Sequence, residues 1–553
     1  MTNLEVARIL ERIAAILQLM GENPFKVRAY SNAAQSIYNL EHDLYDLYNQ
    51  KRLKEIPGVG KTVQAQIEEI LQTGASAYFE DLSSRIPPTV LEMLSIPGLG
   101  PKTVVRLYRE LGLDNLAALK DAARAGKLRS LAGLGPKTEA RILKGIELLQ
   151  RSAGKHSIGI ALPLAEKVRQ CLRSGIPEAE VEIVGSLRRG KRLVSDVDIL
   201  VGCPDLKKVE RALASIAGLD IVERDCDRIA GYLPQQIPVE IILVEPAEFF
   251  YHLFTSTGSK AHRSRIMEAM TVSPESIRNE DQIYRQQGMS FIPPELREDR
   301  GEIEAARQNR LPLLIKGDDI KGDLHIHSNW SDGSENLIDL LAAARARDYE
   351  YLAITDHSSS LPITGGLNRE RLMTQAQIIA NLNRQGGPRL LQGIECDILK
   401  DGRLDLSDAD LERLDVVIAS VHSFFRLDRE AQTERLLRAI ENPHVDIIGH
   451  LTGRLLRKRP GYELDLERIL KAVKTHRKVL EINSHPHRLD IDEGIARQAV
   501  GMGIKLAVNS DAHSLREMDL LRYGILTARR GWVEAGDVIN TWKLTDIMAY
   551  FNS

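Results

Sequence analysis

Two kinds of hydrophobic patterning divide this chain. Near its start, Val6, Ile9, Leu10, Ile13, Ile16, Leu17 and Met20 recur at helical spacing, which predicts an amphipathic helix with its stripe in a core. From residue 317 onward the apolar positions gather instead into seven short runs rich in β-branched residues. These are 323–327, 351–357, 391–395, 416–422, 445–450, 479–483 and 506–513. Each is followed by a polar or helical stretch, so each predicts a buried strand, and strands alternating with helices predict a parallel sheet. Parallel αβ barrels carry their active sites at the carboxyl ends of their strands. That is where these runs place His, Asp and Glu.

Composition sharpens the pattern, because ten of the fourteen histidines lie between His325 and His513. His325 and His327 share one strand face, since side chains alternate with a period of two. Imidazole plus carboxylate without thiolate suits zinc, manganese or iron. The strand ends offer more ligands than one ion takes, and Glu395 is the only Glu closing one of these runs, so it is the economical bridge. The expectation is a cluster of two or three metals that activates water and clamps a phosphate, as metal-assisted phosphoester hydrolysis requires.

The segments 322–333 (GDLHIHSNWSDG), 355–358 (TDHS), 393–398 (GIECDI), 419–423 (ASVHS), Gly449-His450 and Asp511-Ala-His513 resemble the polymerase and histidinol phosphatase (PHP) domain over residues 317–553. The resemblance implies a distorted seven-stranded αβ barrel with a trinuclear centre. One metal would take His325, His327, Glu395 and Asp511, a second Glu395, His422 and His450, and a third Asp332, His357 and His513. Ser423, Arg454, Asn483 and Arg488 fall on strand-end loops as candidates to hold a phosphate.

The rest of the chain changes the substrate expected. At 553 residues it predicts several domains, and 43% hydrophobic with 27% charged residues is ordinary for a soluble protein. No apolar run approaches the roughly 18–20 residues of a membrane span. The first residues lack signal-peptide character, and the four cysteines lack CxxC spacing, so a cytoplasmic setting is expected. Net charge is only −3, yet residues 101–150 carry ten Lys/Arg against five Asp/Glu.

That basic segment belongs to a repeat. The segments 56–61 (IPGVGK), 96–102 (IPGLGPK) and 131–137 (LAGLGPK) are three copies of an apolar residue, a Gly-x-Gly turn and a Lys. Glycine lets the backbone approach closely, and amides at the following helix start act as anion donors. The copies resemble the helix-hairpin-helix motif, which implies DNA-backbone contact through Gly58, Gly60, Lys61, Gly98, Gly100, Lys102, Gly133, Gly135 and Lys137.

Between these regions, Gly185-Ser186 precedes Asp196 and Asp198, which alternate on a strand and so face one side. Paired carboxylates suit divalent metals coordinated by phosphates, and a Gly-Ser turn cradles a triphosphate with Arg189 adding charge. With Gly258-Ser259 in Thr257-Gly-Ser-Lys260, this resembles the nucleotidyltransferase palm of family X DNA polymerases. The palm departs from the family at Glu240, where an Asp is expected, and at Ile242, Thr255-Ser256 and Arg263. Gln66 stands where eukaryotic relatives carry the lyase lysine, leaving Lys26, Lys54 or Lys61 for that role.

The sequence therefore predicts a multidomain α+β and α/β chain. A helical domain over 1–80, hairpins over 81–152, a palm and thumb over 153–316 and a PHP barrel over 317–553 are expected. The function expected is a monomeric DNA-repair polymerase with 3′–5′ exonuclease or related 3′-end and abasic-site phosphoesterase activity. Its catalytic palm residues would be Asp196, Asp198 and Glu240, with Mg²⁺ or Mn²⁺ and dNTPs there and two to three Zn²⁺, Mn²⁺ or Fe ions in the barrel. Gapped, nicked or single-strand-ended DNA is the expected partner. Its rivals are a nuclease whose palm only binds DNA and a small-molecule phosphatase of the histidinol-phosphate type.

Overall fold

The computed structural model describes residues 3–38, 44–49, 51–56, 58–94, 96, 99–152, 154–268, 270, 273–360 and 364–552. The chain divides into two compact units, one of residues 1–153 with 457–460 and one of 154–456 with 461–553.

The first unit is helical. In helix Asn3–Met20 the stripe residues Val6, Leu10, Ile13 and Leu17 are fully buried, and they share a core with Tyr30, Ala33 and Ile37 of helix Pro24–Tyr38. The three glycine turns are closed by the same hydrogen bond. Val59 N–H donates to the Ile56 carbonyl at 3.1 Å, Leu99 to Ile96 at 3.1 Å and Leu134 to Leu131 at 3.0 Å. The apolar residue at each end of each turn is buried, so the turn is pinned at both ends. Gly58 and Gly133 sit at φ +81 and +85, the left-handed conformation such a turn needs at its third position. Helices Lys61–Thr73, Pro101–Leu111 and Pro136–Ser152 leave the three turns.

The second unit opens with a five-stranded sheet of β1 (Val181–Ile183), β2 (Val197–Val201), β3 (Asp220–Arg224), β4 (Arg228–Leu233) and β5 (Ile237–Leu243). Its order is β1-β2-β5-β4-β3, with only β2 and β5 parallel. Alternate residues of β5 are buried, as a sheet with one covered face requires. Helices Ile158–Gly175 and Leu206–Leu213 supply that cover.

The barrel strands are β6 (Gly322–Ile326), β7 (Tyr351–Ile354), β8 (Arg389–Asp397), β9 (Val416–Ser420), β10 (Ile447–Ile448), β11 (Val479–Asn483) and β12 (Leu506–Asn509). They are parallel and adjacent in chain order, and a bridge between Ile326 and Ala512 joins the two ends. Nearly every strand residue is buried because both faces are covered. Leu324, Ala353, Val416, Ile418 and Ala507 fill the interior, while Ile394, Val417, Ile448 and Val508 meet the outer helices.

Sheet and barrel share a core. Leu489 and Tyr523 of the barrel region are buried among the residues under the five-stranded sheet. Arg530 donates to the Arg189 carbonyl at 2.7 Å and lies 3.2 Å from both Glu298 and Glu493. Arg192 reaches Glu493 at 2.9 Å, and Ser157 Oγ donates to the Pro486 carbonyl at 3.0 Å.

Candidate metal centre and nucleic-acid surfaces

The barrel gathers its polar residues at one end. His325 lies in β6 and Glu395 in β8, while His327, Asp332, His357, His422, His450, Asp511 and His513 lie just past strand ends. Glu395 is the hub. Its Oε2 lies 3.0 Å from His357, 3.5 Å from His325 and 3.6 Å from His327, and its Oε1 lies 2.9 Å from His450 and 3.3 Å from His422. Asp511 Oδ1 stands 3.1 Å from His327 and 3.5 Å from His325. Asp332 faces His513 at 3.5 Å and His357 at 3.6 Å. His450 and Asp511 have left-handed backbones, φ 25 and 56, and strain of this kind collects where function holds a residue in place.

Three sets of ligand atoms converge within 4.8 Å: His327, Asp332, His357 and His513; His325, His327 and Asp511; and His357, Glu395 and His422. These overlap the three sets expected from sequence but divide the residues differently. His450 lies outside these three sets and meets Glu395 at 2.9 Å. Burial opposes protonation of His422, but Glu395 and Asp397 outweigh it and raise this imidazole to about 9. Burial likewise opposes protonation of His513, where Asp332 and Asp511 prevail and again give about 9. His327 goes the other way, to about 3, through burial and its neighbours His513 and His357.

A buried set of imidazoles and carboxylates with donor atoms left over is a metal site by its chemistry. His325 Nε2 and His327 Nδ1 are buried and make no hydrogen bond, a costly state for a polar atom unless a further partner is bound. The residues therefore fit a metal cluster, and the barrel's donor set is one for metal binding.

Two supporting residues escaped sequence reasoning. Glu481 accepts from His325 Nδ1 at 2.6 Å, from the His450 backbone amide at 2.8 Å and from Asn509 at 3.0 Å. Asp397 stands 3.3 Å from His422 Nδ1. The signal for Glu481 was present: a carboxylate inside an otherwise apolar strand must have partners. Asp397 shares the face of Glu395 by the period of two.

The four loop candidates divide. Arg488 Nε lies 3.7 Å from Asp511 with its side chain partly exposed, and Ser423 is partly exposed beside His422. Asn483 is fully buried and donates to Asp511 at 2.9 Å. Arg454 donates to the Arg488 carbonyl at 2.9 Å and to Asp492 at 3.2 Å.

In the five-stranded sheet, Asp198 and Glu240 are paired neighbours on β2 and β5. Burial, then Asp196 and Glu240, raise Asp198 to about 7. Gly185 has φ +65, and a Cβ there would lie 2.1 Å from Asp198 Oδ2, so only glycine permits the turn to close on this carboxylate. Glu240 accepts from Arg228 at 3.1 Å. Among the described residues, Asp196, Asp198 and Glu240 are not a trio converging within 4.8 Å. Ser186 is partly buried in the short helix Gly185–Arg188. Arg189 is buried, donating to Glu298 at 2.9 Å and to the Thr257 carbonyl at 2.6 Å. Arg188 takes Glu280 and Thr257. Gly258 precedes Ser259, whose side chain caps helix Lys260–Met267. Arg189's partner Glu298 lies 109 residues away, which local pattern could not reveal.

On the hairpins, Gly58, Gly60, Gly100 and Gly133 are exposed and Gly135 partly so, with Lys61 and Lys137 exposed. Gly98 and the side chain of Lys102 lie outside the described residues. Gln66 accepts from Ser76 at 3.0 Å.

Comparison with known proteins places these regions. A helix-hairpin-helix domain model matches residues 1–76, a SAM-like helix-hairpin-helix tandem 90–147 and the PHP domain 323–485. The DNA polymerase/3'-5' exonuclease PolX of Bacillus subtilis is 34% identical, over 99% of this chain and 98% of its own length. A probable phosphatase of Caldanaerobacter subterraneus is 35% identical over 34% of this chain and 75% of its own. One of Thermoanaerobacter sp. is 30% identical over 40% and 89%. The phosphatases share only part of the chain, whereas the polymerase runs its whole length. This chain belongs to the bacterial family X DNA polymerases that carry a PHP domain.

Proposed function

We propose that this chain extends DNA 3′ ends by nucleotidyl transfer in the region 153–316 and shortens them by phosphodiester hydrolysis in the PHP barrel. One observation carries the second half: Glu395 sits among five imidazoles with both its oxygens engaged, while His325 Nε2 and His327 Nδ1 are buried without a hydrogen bond. His325, His327, Asp332, His357, Glu395, His422, His450, Asp511 and His513 would hold two to three zinc, manganese or iron ions. Bound there, the ions would supply a hydroxide nucleophile and neutralise phosphate charge. Arg488 and Ser423, at the rim, would orient the DNA phosphate. Asn483 and Arg454 would fix Asp511 and the Arg488 backbone behind them.

In the palm, Asp196, Asp198 and Glu240 would hold Mg²⁺ or Mn²⁺, with the Gly185-Ser186 turn and Gly258-Ser259 against a dNTP. The hairpins would grip gapped or nicked DNA through backbone amides and Lys61, Lys102 and Lys137. A second reading, a nuclease whose palm only binds DNA, draws support from the pairing of Glu240 with Arg228.

A labelled primer on gapped DNA with Mn²⁺, with and without dNTPs, tests both. His325→Ala should abolish shortening and leave extension, and Asp198→Ala should do the reverse. Extension by neither wild type nor His325→Ala selects the second reading. Shortening that survives His325→Ala overturns the barrel assignment.

A further inference from the structure

Phe424 combines three properties that a structural phenylalanine does not need. It is 54% exposed. Its backbone is left-handed, at φ 52, a true outlier for a bulky residue. It also lies two residues past His422, whose Nε2 is 3.3 Å from the hub carboxylate, so its Cα is within about 7 Å of that ligand's Cα.

The loop that carries it is held from below. Arg435, 2% exposed, donates to the carbonyls of Leu399 at 2.8 Å, of Ser423 at 2.9 Å and of Ile398. One guanidinium thus ties the loop after β9 to the loop after β8. The next residue, Phe425, turns inward and stacks on Tyr462 with ring centroids 6.3 Å apart. Phe424 is left pointing outward on a fixed backbone. From the loop after β8, Lys400 Nζ stands 5.8 Å over its ring, and Arg426 is exposed two residues on. An aromatic face beside cationic groups is the combination that takes stacked nucleobases while the charges follow the phosphates.

We propose that Phe424 is a stacking platform for the base of the terminal nucleotide at the barrel site. This rests on the reading of the barrel as a DNA 3′-end hydrolase and makes Phe424 a positioning residue. It assigns the site a preference for ends that carry a base over phosphoesters that lack one.

The test uses the full chain, metal-replete, with three substrates: single-stranded DNA with an ordinary 3′ nucleotide, the same strand ending in an abasic residue, and bis(p-nitrophenyl) phosphate. Phe424→Ala should lower kcat/KM on the base-bearing end by roughly 5- to 150-fold, the range of one base–aromatic stack, chiefly through KM. The other two substrates should be cleaved as by wild type, with metal content unchanged. Phe424→Trp should restore the base-bearing end. Equal loss on all three substrates, or no loss on any, overturns the platform. Wild type that cleaves the small diester but no DNA end overturns the 3′-end reading itself, and the platform with it.

Discussion

At the scale of the residue, the centre depends on side chains that have no part in a reaction. Glu481 holds one ring nitrogen of His325 and the backbone of His450, and so aims two candidate ligands at once. Outer carboxylates of this kind fix the tautomer and orientation of a ligating imidazole. Glu481→Gln keeps the volume and one acceptor while removing the charge. We expect it to weaken metal binding or DNA shortening by about 10- to 100-fold, read by elemental analysis and primer shortening together. Extension by the palm should not change. Asp198 shows the same dependence on a neighbour, since it occupies its place only because residue 185 has no Cβ.

At the scale of the element, the chain writes some features locally and others not at all. The barrel strands were legible because strands buried on both faces are continuous apolar runs, and the predicted 479–483 coincides with β11. The run at 445–450 shrank to Ile447–Ile448, as the chain turns into a left-handed conformation at His450. The glycine turns were legible because each repeats in register. What Arg189 and Asn483 do was not, because their partners come from distant segments. The three hairpins carry a prediction of their own. If Lys61 and Lys137 neutralise DNA phosphates, replacing each with Ala should reduce the slope of log binding constant against log salt by about 1. Binding should weaken alike on unrelated DNA sequences, measured by fluorescence anisotropy across a salt series.

At the scale of the whole molecule, the five-stranded sheet and the barrel are joined through their interiors. Glu298, its side chain 9% exposed, lies between Arg189 of one region and Arg530 of the other. Removing one member of such a set leaves charge uncompensated, at a cost of about 3–5 kcal/mol. Glu298→Gln should therefore lower the midpoint of thermal inactivation, and extension and shortening should be lost at one temperature rather than two. Separate midpoints would show the two regions to be independent. The shared core also bears on how a frayed primer reaches the second site. With Leu489 and Tyr523 sunk beneath the sheet, swinging the barrel against the sheet would have to expose both. If both chemistries lie where proposed, a frayed end would cross from sheet to barrel by its own displacement rather than by rotation of one region onto the other.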